Sequence, residues 1–86
     1  MIRVELYEVA RRLAGTASIE VDASNLGHAL REVGRRLPML EGNVLMDGST
    51  APHWRVSLNG KEFVDDPETA LEDGDALLLI SALAGG

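Results

Sequence analysis

Residues 54–64 read WRVSLNGKEFV and predict a β-hairpin. In residues 54–58 apolar side chains alternate with polar ones, which is typical of a half-buried strand, and residues 61–64 form the returning strand. Asn59 and Gly60 lie between the two runs, and both residue types tolerate the positive φ that a tight hairpin turn requires. This hairpin is the best-marked element of the chain, and the rest of the fold is arranged around it.

Two turns and another strand follow the hairpin. Residues 67–71 are predicted to form a short helical turn, and residues 73–75 (DGD) a tight turn. Residues 76–80 read ALLLI, an apolar run without polar alternation. Such a run is typical of a strand that is covered on both faces, so we expect it to lie centrally in the sheet.

The N-terminal part of the chain predicts a second pair of strands. Residues 2–9 and residues 17–22 both alternate between apolar and polar side chains. Gly15 and Thr16 mark a turn between them. We therefore expect these two strands to form a second hairpin.

A change of period marks the main helix. Apolar residues recur at helical spacing over residues 26–37. Ser24 or Asn25 can cap its first turn with a side-chain oxygen, and Pro38 ends it. Residues 41–53 are the least regular stretch and are rich in turn formers, so we expect a surface loop there.

These elements predict an α+β fold of two layers. The order is β-β-α-β-β-β, with a mixed sheet of about five strands packed on one main helix. We expect residues 1–80 to form the domain and residues 81–86 to form a flexible, extended C-terminal tail. Six extended residues reach roughly 20 Å.

The length and composition of the chain disfavour several classes of function. The chain has 86 residues, enough for one domain with one small core. Eight basic and fourteen acidic residues give a net charge of −6, which disfavours binding to nucleic acid. We find neither a secretion signal nor a long apolar run, so no membrane partner is expected. The absence of cysteine fits a cytoplasmic protein.

The histidine, serine and aspartate residues form no recognisable catalytic or metal-binding set. His28 and His53 are the only histidines and, without cysteine, do not make a metal-ligand set. No serine lies in the G-x-S-x-G pattern of hydrolases. The aspartates at 65–66 and 73–75 have proline and glycine neighbours, which favours turns over a cation site. We therefore expect no metal and no catalytic centre.

The chain ends in Gly85-Gly86 directly after the last predicted strand. A terminal carboxylate reacts only after it has been converted to a good leaving group, so an activating site must hold it against a nucleotide. Glycine lets the backbone enter a narrow channel because it has no Cβ and adopts unusual φ and ψ freely. Paired glycines on an extended arm therefore suit a carboxylate that is delivered into another protein's pocket.

Four motifs, in this order along the chain, resemble those of the MoaD/ThiS family of ubiquitin-like sulfur carriers. They are residues 11–16 (RRLAGT), residues 58–60 (LNG), residues 71–76 (LEDGDA) and residues 84–86 (AGG). The resemblance covers nearly the whole chain apart from the loop at 41–53. It is greatest to the small-subunit type of molybdopterin synthase, and it implies a ubiquitin-like β-grasp fold.

The resemblance implies a carrier and not an enzyme. An ATP-dependent activating enzyme would adenylate the carboxylate of Gly86, and a sulfur donor protein would convert it to a thiocarboxylate. The tail residues would then insert into the large subunit of molybdopterin synthase, or into another acceptor enzyme, for molybdenum cofactor biosynthesis. The chain itself would bind no cofactor, since the ATP is used by the partner. The tail residues in question are Leu83, Ala84, Gly85 and Gly86.

Partners are expected to dock on the sheet face opposite the helix. If Leu77 and Leu79 point into the core, strand alternation places Leu78 and Ile80 on the open face. Apolar patches of this kind mark partner sites. The remaining residues of the expected docking surface are Tyr7, Phe63 and, where the family places a partner-contacting arginine, Arg11.

Other functions remain open at this stage. The sulfur could serve thiazole and thiamine, cysteine or tRNA thiolation, because only partner contacts encode the pathway. Alternatively, Gly86 could form an isopeptide bond to a lysine, as in a ubiquitin-like protein modifier. A third possibility is an interaction domain with an inert tail.

Overall fold

The apolar run near the C-terminus forms the central strand, as predicted. The computed structural model describes residues 1–82, so the expected tail contacts of Leu83, Ala84, Gly85 and Gly86 lie outside the described residues. The strands are β1 (Ile2–Leu6), β2 (Ser18–Val21), β3 (Leu45–Met46), β4 (Ser49–Thr50), β5 (Trp54–Leu58), β6 (Glu62–Val64) and β7 (Ala76–Ser81). The helices are α1 (Glu8–Ala14) and α2 (Leu26–Arg36), and a 3₁₀ turn at Pro38–Leu40 follows α2.

Five strands form a mixed sheet in the order β2-β1-β7-β5-β6. The β1–β7 pair is parallel, and its neighbours β1–β2, β5–β7 and β5–β6 are antiparallel. The helix α2 buries its apolar stripe, and the residues of this stripe and of the inward sheet face form one core. The predicted two-layer α+β fold is confirmed.

The helix α2 begins where the sequence predicts, and tertiary contacts complete its first turn. The first N–H groups of a helix have no partner within the helix. The Asn25 side chain caps the helix by accepting from the His28 N–H at 2.8 Å. The Leu26 N–H donates to the Thr69 carbonyl at 3.0 Å, and the Gly27 N–H donates to the Pro67 carbonyl at 3.0 Å.

These contacts explain why residues 67–71 are not the short helical turn that we predicted. A single turn is closed by the Thr69 N–H, which donates to the Asp66 carbonyl at 2.9 Å. Ala70 then forms an isolated bridge with Asn25. The carbonyls that a helical turn would use internally instead satisfy the orphan N–H groups of α2.

The connection between the first two strands also differs from the prediction. Strand β1 ends at Leu6 and not at residue 9, and residues 8–14 form the helix α1 instead of part of a hairpin. The antiparallel pairing itself is confirmed, with Ile2 opposite Val21. The segment is rich in good helix formers, and Ala10 is fully buried, so core packing selects the helix. Gly15 ends it with φ 72°, in the left-handed region.

The predicted surface loop at 41–53 is wrong in part. It contains the short hairpin β3–β4, and three of its apolar side chains enter the interior: Val44, Leu45 and Ala51. The Glu41 carboxylate lies directly over Gly34 of α2, where a Cβ would overlap it. That carboxylate also accepts the Asp47 N–H at 3.1 Å. The Glu41 side chain thus links the loop backbone at Asp47 to the surface of α2 at Gly34.

The predicted turn at Asn59-Gly60 is confirmed and is tied to the start of β7. Asn59 and Gly60 have φ of 57° and 70°. The Asn59 Nδ2 donates to Asp75 Oδ1 at 3.0 Å, and the Glu72 N–H donates to Asp75 Oδ2 at 2.8 Å. Two of the motifs that carry the resemblance, residues 58–60 and 71–76, therefore meet in one hydrogen-bonded junction.

This junction predicts an acid-sensitive contribution to stability. The Glu72 N–H and then the Asn59 amide hold the pKa of the Asp75 carboxyl below its ordinary value. A depressed pKa contributes stability that is complete above about pH 4 and is lost as the pH falls through the folded-state pKa. In urea denaturation, we expect Asp75→Asn to destabilise the protein at pH 7 and to converge with the parent chain at lower pH. A constant difference at all pH values would contradict this.

Candidate functional site

The central strand β7 has one face in the core and one face outward. Leu77 and Leu79 are fully buried, whereas Leu78 and Ile80 are half-buried on the face away from α2. The orientation predicted from strand alternation is therefore confirmed. These two residues form the apolar centre of the open sheet face, which we call the docking face.

Strands β5 and β6 extend the docking face to one side. Leu78 lies opposite Ser57, and Ser57 lies opposite Phe63 on β6. Ile80 lies opposite Arg55. With roughly 4.8 Å between neighbouring strands, Phe63 stands about 10 Å from β7.

An exposed aromatic ring marks this edge of the docking face. Phe63 is 54% exposed. The guanidinium of Arg55 lies over its ring, 4.0 Å from the ring centroid, which is a cation–π geometry. The arginine thus holds the ring against the sheet while both remain accessible to a partner.

Strand β1 and helix α1 extend the docking face to the other side. The Tyr7 hydroxyl donates to Glu5 Oε1 at 2.6 Å, and this hydrogen bond, with a smaller contribution from burial, raises the pKa of Tyr7. Arg11 projects from α1 and lines the same shallow hollow as Tyr7, Glu5 and Arg3. Tyr7 and Arg11 therefore meet each other, but they lie on the far side of β7 from Phe63.

The charge of the docking face differs from that of the whole chain. Arg3, Arg11 and Arg55 are exposed, and none of them forms an ion pair with a carboxylate of residues 1–82. Half of the fourteen acidic residues instead lie in one segment, residues 62–75. A net charge of −6 thus coexists with an apolar face that is bordered by unpaired arginines.

Two of these arginines, Arg3 and Arg55, were not predicted from the sequence as part of the docking surface. Arg55 lies two residues before Ser57 and therefore on the same face of β5. The Asn59-Gly60 turn places Phe63 opposite Ser57. Strand alternation together with the hairpin register could therefore have identified Arg55. Arg3 shares its face with Glu5, and the same alternation applies. Neither residue belongs to a sequence motif, so only the pairing of the strands shows that both lie on the docking face.

The docking face leads directly to the last residues that the structure describes. Strand β7 continues through Ser81, one residue beyond the predicted strand end, and the Ala82 N–H donates to the His53 carbonyl at 2.6 Å. A protein that covers Leu78 and Ile80 therefore lies next to Ser81 and Ala82, the last residues that the structure describes.

The part of the chain that the structure describes lacks two other kinds of site. Within residues 1–82, no three or more His, Asp or Glu side chains gather closely enough to hold a metal ion. Helices with the length and apolar content of a membrane span are likewise absent from residues 1–82.

Comparison with known proteins gives one relative and several similar folds. No family model matches the chain. Small archaeal modifier protein 3 of Haloferax volcanii is 33% identical over 90 residues, which cover 99% of this chain and 98% of the relative. The crystal structure of SAMP1 from Haloferax volcanii superposes with a TM-score of 0.84 at 29% identity, covering 99% of this chain and 98% of that one.

A third similarity shows the fold alone. The Helicobacter pylori molybdopterin-converting factor, solved as a complex of its subunits 1 and 2, contains a chain that superposes with a TM-score of 0.67 at 20% identity. The match covers 99% of this chain and 97% of that chain. The five-stranded sheet with one packed helix is thus the ubiquitin-like β-grasp.

Proposed function

This chain belongs to the ubiquitin-like small modifier and sulfur-carrier family, and from that premise we propose that it is a carrier protein whose Gly86 carboxylate is activated by a partner enzyme. An ATP-dependent activating enzyme would bind the docking face and receive the residues beyond Ala82. A carboxylate oxygen of Gly86 would attack the α-phosphate of ATP, and pyrophosphate would leave. The chain supplies the carboxylate and the surface, and the partner supplies catalysis.

One observation carries this proposal. The apolar centre of the docking face lies on β7, which ends at Ser81, one residue before the last described residue, Ala82. Docking on Leu78 and Ile80 therefore fixes where the C-terminal residues begin relative to the partner.

The first candidate for the next step is sulfur transfer. A sulfur donor protein would deliver hydrosulfide, whose sulfur would attack the acyl carbon of Gly86. The C–O bond to phosphate would break, AMP would leave, and a thiocarboxylate would remain on Gly86. A carrier of the molybdopterin-synthase small-subunit type would pass this sulfur to a large subunit, and the fold shared with a chain of the two-subunit converting factor supports that choice. Thiazole, cysteine and tRNA thiolation are the alternative destinations.

The second candidate is conjugation to other proteins. The relative that is 33% identical is named as a modifier protein. In that case a lysine amine would attack the same acyl intermediate and form an isopeptide bond. Both candidates share the activation step and differ in the nucleophile that follows it.

Intact mass spectrometry tests the proposal. Incubation with ATP, a sulfur donor and the cognate activating enzyme should add the mass difference between sulfur and oxygen, whereas conjugation should give far heavier species. The matched control is the same chain without Gly85 and Gly86, which keeps the described domain and should give neither product. Failure of the full chain to form an adenylate, a thiocarboxylate or a conjugate would overturn the proposal.

A further inference from the structure

The two outer strands of the sheet, β2 and β6, differ in how their free edges are occupied. In β2 the ladder to β1 uses the Ala17 carbonyl, so strand alternation directs the carbonyls of Ser18 and Glu20 outward. Side-chain donors satisfy both of these carbonyls. The Thr16 hydroxyl donates to the Ser18 carbonyl at 3.2 Å, and the Arg36 guanidinium donates to the carbonyl of residue 20. The β2 edge is therefore closed to another strand.

The β6 edge is open. The Asn59 N–H donates to the Ala76 carbonyl on β7, so alternation turns the N–H and C=O of Val56 the other way, toward β6. Val56 pairs with Val64, which therefore faces back toward β5. Phe63, one residue earlier, directs its own N–H and C=O away from the sheet. In the part of the chain that the structure describes, neither group has a hydrogen-bond partner.

Two cavities flank this open edge. The smaller one, on the side of α2, has a volume of about 140 Å³, and its apolar wall consists of Leu26, Leu30, Val56 and Val64. The larger one has a volume of about 260 Å³ and is lined by Trp54 and by the stacked side chains of Arg55 and Phe63. Successive side chains of a strand point to opposite faces, so a strand that pairs with Phe63 directs alternate side chains toward the two cavities. A cavity of about 150 Å³ holds benzene, so the smaller cavity fits a compact aliphatic side chain and excludes an indole.

The charge around the edge selects its occupant. Glu62 and Asp65 lie on either side of the strand centre, both are exposed, and neither forms an ion pair within residues 1–82. The nearby cations are Lys61, the single lysine of the chain, which lies at the turn, and Arg55, which is stacked on the ring. A second copy of the protein carries the same net charge of −6 and is repelled, whereas a basic segment is attracted.

We propose that the β6 edge binds an extended, basic segment of a partner protein, which adds to the sheet as a further strand. One residue of this segment exchanges two hydrogen bonds with the N–H and C=O of Phe63. Its neighbour inserts a compact aliphatic side chain into the smaller cavity, and flanking Lys or Arg side chains meet Glu62 and Asp65. This contact does not involve Gly86, so it is independent of the proposed activation of the C-terminus.

A synthetic peptide tests this edge. In the peptide valine alternates with threonine, lysine stands at both ends, and the termini are acetylated and amidated. In an NMR titration we expect saturable shift changes at β6 and exchange of the Phe63 amide hydrogen that is slower by about tenfold or more, because this N–H gains an acceptor. The amides of β2 are the internal control and should not change. Absence of saturable changes at β6 with millimolar peptide, or changes centred on β2, would overturn the proposal.

Matched peptides separate backbone pairing from side-chain contacts. If valine enters the smaller cavity, threonine lies opposite Phe63 and its N–H points to β6. N-methylation of the threonines should therefore weaken binding about tenfold or more, whereas N-methylation of the valines should have little effect. Replacement of the lysines by glutamate should weaken binding by a similar factor. Equal affinity of the two N-methylated peptides would contradict strand addition.

Protein variants test the same contacts from the other side. Phe63→Pro removes the outward N–H and suits an edge strand, so it should weaken binding more than Phe63→Ala, which keeps the N–H. Glu62→Gln with Asp65→Asn should weaken binding about three- to tenfold. The control is Glu68→Gln with Glu72→Gln, which removes the same charge from exposed residues outside the strand. Equal loss in both double variants would overturn the basic occupant, and Phe63 protection that rises with protein concentration alone would assign the edge to a second copy.

Discussion

Ile80→Asp is expected to lower kcat/KM for activation by the partner enzyme at least about 100-fold, equivalent to about 2.7 kcal/mol of lost binding. Ile80 lies at the centre of the docking face and next to the C-terminal end of β7. An aspartate there would place a charge in the apolar contact with the partner, and removing that charge from water is costly even beside a cation. Steady-state kinetics of ATP–pyrophosphate exchange would measure the effect.

The fold should tolerate this change. Ile80 faces away from the core and lies opposite Arg55, so the new carboxylate gains a cross-strand cation. Such pairs contribute about 0.2–1 kcal/mol, which offsets the poor strand propensity of aspartate. Met39→Asp is the matched control, since Met39 is 42% exposed and lies on the 3₁₀ turn after α2, outside the docking face. Equal loss of activation in both variants would contradict the assignment of the docking face.

Leu79→Ala, one residue earlier, should have the opposite effect, because it should lower stability and not primarily activation by the partner enzyme. Leu79 is fully buried in the core, and truncating a buried leucine costs about 2–5 kcal/mol through lost transfer energy and the cavity that remains. Domains of this size have about 5–15 kcal/mol in total, so the variant loses a large share of its stability. Urea denaturation should show a lower midpoint, and each kcal/mol should lower Tm by about 4–8 °C.

Leu78→Ala is the control for the core assignment. The side chain is the same, but Leu78 is half-buried and points outward. We expect it to lose clearly less stability than Leu79→Ala while weakening partner binding. If the two variants lose equal stability, β7 does not have one core face and one docking face.

How much of this could be predicted from the sequence depended on whether the signal was local. Three elements had a local signal. The Asn59-Gly60 turn has two residues that tolerate positive φ, the helix from Leu26 has a 3.6-residue apolar period, and β7 has an unbroken apolar run. The outward orientation of Leu78 and Ile80 followed from strand alternation alone. For the candidate site, these local rules identified the apolar centre of the docking face.

Other features depend on contacts between segments that are far apart in the sequence. Residues 8–14 became helix α1 because Ala10 packs in the core, and residues 67–71 lost their helical turn because their carbonyls accept the N–H groups of α2. Part of the loop at 41–53 entered the core because Val44, Leu45 and Ala51 pack there. Arg55 stacks on Phe63 only after β5 and β6 pair.

By itself, the sequence determined the two-layer fold, the central strand and the single lysine, because each depends on the residue and its near neighbours. Tertiary structure decided which polar groups find partners and which cations stay unpaired around the docking face. It also decided that Tyr7 and Phe63 lie on opposite sides of β7. These are distances between segments far apart in the chain, and local propensity carries no information about them.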